Sequence, residues 1–254
     1  MEEDRLNKNN WEDAIASPFP CLYMKIYKEF NFYRKDDTLK SLYDQFIKET
    51  IFTLSKKLGK KIIVADLLSA FGNCLLTLVY GLTSRQIYDL METEEKARKL
   101  KDSITRTFDC ETIGTDISKT VLEYGKSQLF FDKTFQYDLN KIFEEKENFE
   151  VTKNLMTNSN LIHFGSICYI KDDVLSKMIE WFSNGTEEGY ILMSFAYPID
   201  ITERNNFLKK KFLEKLDFVA SQPGQHREFF GLEKEKYDTP ISYQETWCFK
   251  RKLK

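Results

Sequence analysis

The stretch KIIVADLLSAFGN, from Lys61 to Asn73, decides the fold of this 254-residue chain. Its beginning, Ile62–Ala65, is a short continuous apolar run, typical of a strand buried on both faces of a parallel sheet. Asp66 ends the run, and a loop with one glycine, Gly72, leads into an apolar segment that predicts a helix over 73–80. The stretch therefore predicts a βα unit whose loop lies at the carboxyl end of the strand.

The same alternation of strand and helix continues along the chain. Further strands are predicted at Thr112–Thr115, Thr134–Tyr137, Leu161–Phe164 and Tyr190–Phe195, and helices at Ser118–Leu129, Asp173–Phe182 and Thr202–Lys215. A last strand, Tyr243–Phe249, follows a long loop. Because parallel strands are joined by right-handed crossovers, this order predicts an open, doubly wound α/β sheet.

The chain before Lys60 has the periodicity of helices. Tyr23, Tyr27 and Phe30 fall at helical spacing, a second apolar stripe runs over Leu39–Leu58, and Gly59 is placed to end that second helix. We therefore predict a helical N-terminal cap over residues 1–60.

Composition excludes several classes of protein. Hydrophobic residues make up 42% and charged residues 31%, as in folded soluble proteins, and a net charge of −2 gives no electrostatic footprint for nucleic acid. The basic runs Lys209–Lys211 and Lys250–Lys254 are short, and we interpret them as solvated faces.

Met1–Asn10 is too polar for a signal peptide, and no apolar run approaches the length of a bilayer span. We expect a cytoplasmic monomer or homodimer with no nucleic-acid or membrane partner.

Cysteine and histidine usage argues against metal and disulfide chemistry. The 5 cysteines are scattered without a C-x-x-C pair, and there are only 2 histidines. Neither a disulfide framework nor a metal site is predicted.

Three aspartates, Asp66, Asp116 and Asp138, end three of the predicted strands. In an open parallel sheet, ligands bind at the carboxyl ends of the strands, and an acid after the second strand can accept both hydroxyls of a ribose. The loop after Asp66 carries one glycine and no lysine, which favours a nucleoside without phosphates over NAD or ATP. An alternative second-strand acid is Asp89, which lies at a more ordinary distance from Gly72.

These motifs resemble those of class I methyltransferases, which use S-adenosylmethionine. The matching segments are Val64–Asn73 for the first motif, usually D-x-G-x-G-x-G, Gly114–Ser118 and Val121–Gly125 for the second strand and its helix, Tyr137–Leu139 for the third-strand acid, and Ile162–Ser166 for the fourth strand. More narrowly, the chain is similar to a little-characterised bacterial branch. That likeness rests on a tyrosine-containing helix at Leu82–Leu90, a turn at Gly165–Tyr169 and a Gln-Arg-Arg-Phe-like segment near Gln225–Phe229.

The resemblance implies a mostly parallel, seven-stranded, Rossmann-like sheet in residues 61–254, with S-adenosylmethionine as cofactor. It implies a helical insertion at about 81–110, because the link from Gly72 to Asp116 is longer than in the minimal fold. The implied activity is methyl transfer to an oxygen or nitrogen of a small-molecule acceptor. An Asn/Asp-Pro-Pro-aromatic motif after the fourth strand is missing, which disfavours nucleobase and amide acceptors.

Carried over by residue, the resemblance implies that Asp66 organises the loop under the methionine moiety, which Gly72 lets the backbone approach. Asp116 would bind the ribose and Asp138 would face the adenine amino group. The predicted cofactor site is completed by Ser69, Ile117, Leu139, His163 and Phe164, the last two through backbone and side-chain contacts near the sulfonium.

Three side chains are candidates for catalysis. His163, at the tip of the predicted fourth strand, is the main candidate for a general base, and His226 and Tyr169 are the others. For His163, a hydrogen-bonded imidazole that only shapes the pocket is an equal alternative.

Leu68 and Ala70 depart from the family pattern, since they stand where two glycines are usual. They predict a stiffer, bulkier loop. They also support the alternative of a cofactor-binding pseudo-methyltransferase that acts as a scaffold or regulatory protein. In either case, we expect the N-terminal helices and the insertion to cover the acceptor side of the cofactor.

Overall fold

Seven strands form one sheet in the computed structural model, which describes residues 13–29, 33–165, 167, 170–197, 202–228 and 241–253. The strands are Ile62–Leu67 (β1), Cys110–Asp116 (β2), Lys133–Gln136 (β3), Leu161–Phe164 (β4), Tyr190–Tyr197 (β5), Leu216–Glu228 (β6) and Ile241–Arg251 (β7). The helices are Cys21–Glu29 (α1), Tyr33–Phe46 (α2), Lys48–Leu58 (α3), Asn73–Tyr80 (α4), Ser84–Met91 (α5), Glu94–Arg98 (α6), Leu100–Ser103 (α7), Lys119–Ser127 (α8), Lys146–Asn158 (α9), Asp172–Ser183 (α10) and Thr202–Lys215 (α11).

The strand order is β3-β2-β1-β4-β5-β7-β6. Neighbours from β3 to β5 pair in parallel, and β7 pairs antiparallel with both β5 and β6. The order reverses between β1 and β4, which is the switch point of a doubly wound Rossmann-like fold. The predicted mostly parallel, seven-stranded sheet is confirmed.

Helices cover both faces of the sheet, as the alternation of buried side chains requires. Val64 of β1 belongs to one apolar cluster, with buried residues of α2, α3, α4 and α8. The next residue, Ala65, belongs to a second cluster on the opposite face, with residues of α9, α10 and α11. Each central strand is therefore buried on both sides, which explains the continuous apolar runs.

Three elements differ from the prediction. Helix α9 lies between β3 and β4, where no helix was predicted. The segment predicted as a long loop before the last strand contains β6, whose pairing with β7 is interrupted by register shifts near Phe218 and Pro223. A proline and two irregularities are tolerated because β6 is an edge strand, and they hide its alternating pattern. The second N-terminal helix is also divided into α2 and α3 at Ile47, although Gly59 ends α3 in a left-handed conformation as expected.

The N-terminal helices contact the predicted insertion, since the hydroxyl of Ser84 in α5 donates to the carboxylate of Asp37 in α2 at 2.6 Å. Helix α2 also packs against β6 and β7. Residues 81–110 hold α5, α6 and α7. Their role beside the acceptor stays a prediction. In the described parts of the chain, every helix is too short or too polar to span a bilayer.

The interpretation of the basic runs as solvated was wrong at two positions. Arg251 is 1% exposed, and its guanidinium donates hydrogen bonds to the carbonyls of Phe182 (2.6 Å), Glu187 (2.6 Å) and Thr157 (2.9 Å). Arg251 thereby satisfies the carboxyl ends of α9 and α10. Lys209 is half-buried and forms an ion pair with Glu245 at 2.8 Å.

Candidate functional site

The loop between β1 and α4 follows a left-handed path. The backbone angle φ is +60° at Leu68, +44° at Ala70 and +75° at Gly72. For a residue with a Cβ, the left-handed conformation costs roughly 1–2 kcal/mol. Leu68 and Ala70 therefore adopt a conformation that favours glycine, and the loop carries backbone strain next to the strand ends.

Ser69 ties this loop to the end of β2. Its amide donates to the carbonyl of Thr115 at 3.0 Å, and its hydroxyl accepts from the amide of Thr115 at 3.0 Å. The same hydroxyl donates to the carbonyl of Asp66 at 2.5 Å. Ser69 is 5% exposed, and its hydroxyl is hydrogen-bonded to the backbone of the protein rather than open to a ligand.

Asp116, the last residue of β2, also holds the loop. One carboxylate oxygen accepts from the amide of Ala70 at 2.9 Å and the other from the amide of Ser118 at 2.8 Å. Burial raises the pKa of Asp116 and the charge of Asp66 adds to this, whereas the backbone hydrogen bonds act in the opposite direction. A carboxylate has about four acceptor positions, so these bonds leave Asp116 able to accept from a ligand.

The alternative acid Asp89 is excluded as a second-strand residue. It lies within α5, between Ser84 and Met91, whereas Asp116 ends β2.

Asp66 and His163 form a buried pair below the loop. They are register partners on β1 and β4, and Asp66 Oδ1 lies 2.8 Å from His163 Nδ1, with each residue 1% exposed. A carboxylate only accepts, so Nδ1 carries the proton of this bond. Among the described residues, His163 Nε2 and Asp66 Oδ2 have no hydrogen-bond partner, and both are enclosed by protein atoms. In this conformation Nε2 does not reach a ligand.

The adenine side of the predicted site offers one exposed apolar side chain. Ile117 is 59% exposed directly after Asp116. Asp138 accepts from the amide of Asn140 at 2.9 Å. Leu139 and Phe164 are 2% and 0% exposed, so both offer a ligand their backbone only.

The other catalytic candidates lie at the margin of the described structure. His226 is in β6, where its backbone pairs with Tyr243 of β7, but its side chain lies outside the described residues. Tyr169 lies outside them altogether.

The N-terminal segment borders the end of β2. The hydroxyl of Ser118 donates to the carbonyl of Ile15 at 3.0 Å, and the ring of Tyr23 lies 5.2 Å from that of Phe71 in the loop. Residues 13–29 therefore lie beside the position where Asp116 and Ile117 would meet a nucleoside.

Gly165, directly after β4, is expected to tolerate no side chain. Its amide donates to the carbonyl of Leu67 at 2.9 Å, and an added Cβ would lie 2.5 Å from the carbonyl oxygen of Leu68. Gly165→Ala should cost about 1–3 kcal/mol in the free energy of unfolding, the usual range for overpacking. It should also weaken ligand binding, because the clash displaces the loop. Chemical denaturation and calorimetry measure the two effects.

The control for Gly165→Ala is Gly59→Ala. Gly59 has φ +61°, and an added Cβ meets nothing within 4 Å. Gly59→Ala should lower the free energy of unfolding by about 1 kcal/mol, because alanine is strained at this positive φ, and it should leave ligand binding unchanged. Equal effects of the two variants on ligand binding would contradict the expectation that the clash at Gly165 displaces the loop.

Comparisons with known proteins add similarities of fold. No family model and no curated protein matches the sequence. A methyltransferase of Archaeoglobus fulgidus that depends on S-adenosylmethionine is 13% identical over 90% of this chain and 99% of its own, with a TM-score of 0.43. The N-methyltransferase NodS of Bradyrhizobium japonicum WM9, in complex with S-adenosyl-L-homocysteine, is 12% identical over 89% and 97%, with a TM-score of 0.41.

A TehB-like methyltransferase of Corynebacterium glutamicum ATCC 13032, also dependent on S-adenosylmethionine, is 11% identical over 80% of this chain and 87% of its own, with a TM-score of 0.41. All three are methyltransferases. Similarity at this level concerns the arrangement of sheet and helices alone, so the function is argued from the site.

Proposed function

We propose that the protein is an S-adenosylmethionine-dependent methyltransferase that methylates an oxygen or nitrogen of a small molecule. The observation that carries the proposal is Asp116, a half-buried carboxylate at the end of β2, held beside the left-handed loop at the switch point. Its remaining acceptor capacity suits the hydroxyls of a ribose. The exposed side chain of Ile117 offers an apolar surface for a base.

The charge of this edge supports a cationic ligand over a phosphorylated one. Asp66 lies close enough to raise the pKa of Asp116, and the loop between them contains no lysine or arginine. Two neighbouring carboxylates repel the phosphates of ATP or NAD and attract the sulfonium and ammonium groups of S-adenosylmethionine.

The residues present fit the cofactor in three places. Asp116 would hold the ribose, Ile117 and the backbone of Leu139 would contact the adenine, and the loop ending at Gly72 would lie under the methionine moiety. When bound, S-adenosylmethionine supplies a methyl group already activated on sulfur. The protein then contributes mainly alignment and the exclusion of water.

A proton must leave the acceptor when a hydroxyl or an ammonium is methylated. His163 Nε2 is enclosed, so a role as general base requires the loop above it to move. His163 is better supported as the alternative that shapes the pocket, through its bond to Asp66. His226 and Tyr169 stay candidates for the base.

A small acceptor is favoured by charge. The net charge of −2 gives little overall electrostatic attraction for a nucleic acid. The scaffold alternative rested on Leu68 and Ala70, yet both residues keep the left-handed conformation that glycines would give the loop. The substitutions therefore leave the shape of the loop intact, and catalysis is the function that we propose.

Binding of S-adenosylhomocysteine, the demethylated product, is expected to weaken in acid. Protonation of Asp116 replaces an acceptor by a donor, and its raised pKa places this change above the ordinary value of about 3.9. Affinity should be constant at neutral pH and begin to fall at a higher pH than protonation of an ordinary aspartate would require. Calorimetry of the wild type and of Asp116→Asn tests this, since the variant should lack that decrease. The same decrease in both proteins would contradict the assignment.

Removal of residues 1–20 is expected to slow acceptor turnover by about tenfold or more, because the segment that contacts Ser118 excludes water from the site. The chain should still fold, since α1 and its buried side chains stay. The control is removal of residues 1–12, which leaves the contact of Ile15 in place. A full rate after removal of residues 1–20 would contradict a covering role.

The proposed activity is tested by methyl transfer itself. The protein is incubated with S-adenosylmethionine labelled with tritium in the methyl group and with a pool of small metabolites, and Asp116→Ala serves as the matched control. Labelled metabolites formed by the wild type alone are the expected result. Tight binding of S-adenosylhomocysteine without any labelled product would favour the scaffold alternative.

A further inference from the structure

We propose that Ser69 is a positioning residue which, together with Asp116, clamps the strained loop 68–72 in the shape that the ligand requires. The effect on ligand binding rests on the proposed function, whereas the effect on the loop does not. The clamp does the work that glycines would otherwise do in this loop. It also changes the role predicted for Ser69, from contact with the cofactor to control of the loop.

The loop needs such a clamp because its shape is unfavourable for its sequence. Leu68 and Ala70 have φ +60° and +44°, a region that residues with a Cβ rarely adopt. Left alone, these residues would relax toward negative φ and move the backbone between β1 and α4. Residues in such conformations persist only where surrounding contacts fix them.

Two sets of hydrogen bonds supply that constraint, and they alternate with the strained residues. Ser69, between Leu68 and Ala70, bonds to Thr115 through both its amide and its hydroxyl. The amide of Ala70 is held by the carboxylate of Asp116 at 2.9 Å. Each left-handed residue is thus adjacent to a bond that ties the loop to the end of β2.

One carboxylate therefore connects the two ends of the proposed ligand site. Asp116 faces the ribose position and at the same time fixes the loop under the methionine position. Ser69 makes the second connection from a buried position, with 5% of its surface exposed. Removing its hydroxyl should impair binding indirectly, through the loop, and relief of the strain should restore it.

The first experiment measures strain without a ligand. Ala70→Gly should leave the melting temperature unchanged or raise it, because glycine adopts φ +44° without steric strain. The matched control is Ala97→Gly in α6, a buried helical alanine, which should lower the melting temperature by about 2–4 °C. Equal decreases for the two variants would overturn the claim that the loop is strained.

The second experiment tests the clamp by rescue. Ser69→Ala should weaken binding of S-adenosylhomocysteine about tenfold, and adding Ala70→Gly should recover most of that loss, because the loop then needs no clamp. A direct contact between Ser69 and the ligand would give the same loss without rescue, which would overturn the proposal. If the wild type does not bind S-adenosylhomocysteine at all, the proposed function fails. In that case the clamp is tested by stability alone. It is supported if Ala70→Gly restores the melting temperature that Ser69→Ala lowers, and it is contradicted if the decrease remains.

Discussion

Asp116→Ala is expected to weaken binding of S-adenosylhomocysteine by about two orders of magnitude or more. Each hydrogen bond to a charged group contributes about 1.5–3 kcal/mol, and the variant loses two such bonds to the ribose. It also releases the amides of Ala70 and Ser118, which the carboxylate holds at 2.9 and 2.8 Å. The affinity of Asp116→Asn for S-adenosylhomocysteine should lie between those of the wild type and Asp116→Ala. The amide of asparagine keeps one acceptor oxygen, but its NH2 group faces a backbone amide and cannot accept from it.

Calorimetry measures the affinity, and circular dichroism with thermal unfolding shows whether the variants are folded. The outcome against the assignment is a folded Asp116→Ala protein with the affinity of the wild type. The ribose would then be held elsewhere, and Asp138 would be the next residue to test.

Arg251→Met is expected to lower the free energy of unfolding by about 3 kcal/mol or more. The guanidinium is 1% exposed and donates to the carbonyls of Met156, Thr157, Phe182, Glu187 and Ser159. Methionine fills part of the volume but removes all of these bonds. The carbonyl of Phe182 still accepts from the amide of Gly185, whereas each buried carbonyl left without a donor costs about 1–3 kcal/mol before any relaxation. Burial lowers the pKa of Arg251 to about 10, so the group is charged at neutral pH.

Urea denaturation measures this loss, with Lys252→Met as the neighbouring control. Lys252 is exposed, and its bonds to the carbonyls of Leu213 and Glu214 are long, at 3.3 and 3.4 Å. The control should change stability by less than about 0.5 kcal/mol. The stability of Arg251→Lys should lie between those of the wild type and Arg251→Met, because one ammonium group cannot reach all the carbonyls that the guanidinium contacts. An Arg251→Met protein as stable as its control would show that the buried bonds contribute nothing net.

The part of the fold that was predictable is the part governed by local pattern. β1 and β4 are continuous apolar runs, and Gly59 ends its helix because it can adopt positive φ. β6 was missed because an edge strand needs no apolar run and tolerates Pro223. The burial of Arg251 was missed because its partners are carbonyls up to 95 residues away, which leave no trace in the local sequence.

The positions of the candidate residues along the strands were predictable, whereas their contacts were not. Asp116 stands at the end of β2 as its place in the sequence required. The bond between Asp66 and His163 depends on the register of two strands 97 residues apart, so no local pattern could indicate it. The left-handed conformation of Leu68 and Ala70 also contradicts their own preferences, because the bonds of Ser69 and Asp116 outweigh them.

The most direct measurement of the central claim is calorimetric titration of the wild type with S-adenosylmethionine, S-adenosylhomocysteine, ATP and NAD under identical conditions. A nucleoside site bordered by Asp66 and Asp116 predicts binding of the two sulfur compounds and none of the two phosphorylated ones. Binding of ATP or NAD with equal or higher affinity would contradict the account, because two neighbouring carboxylates and a loop without lysine would then be accommodating phosphates.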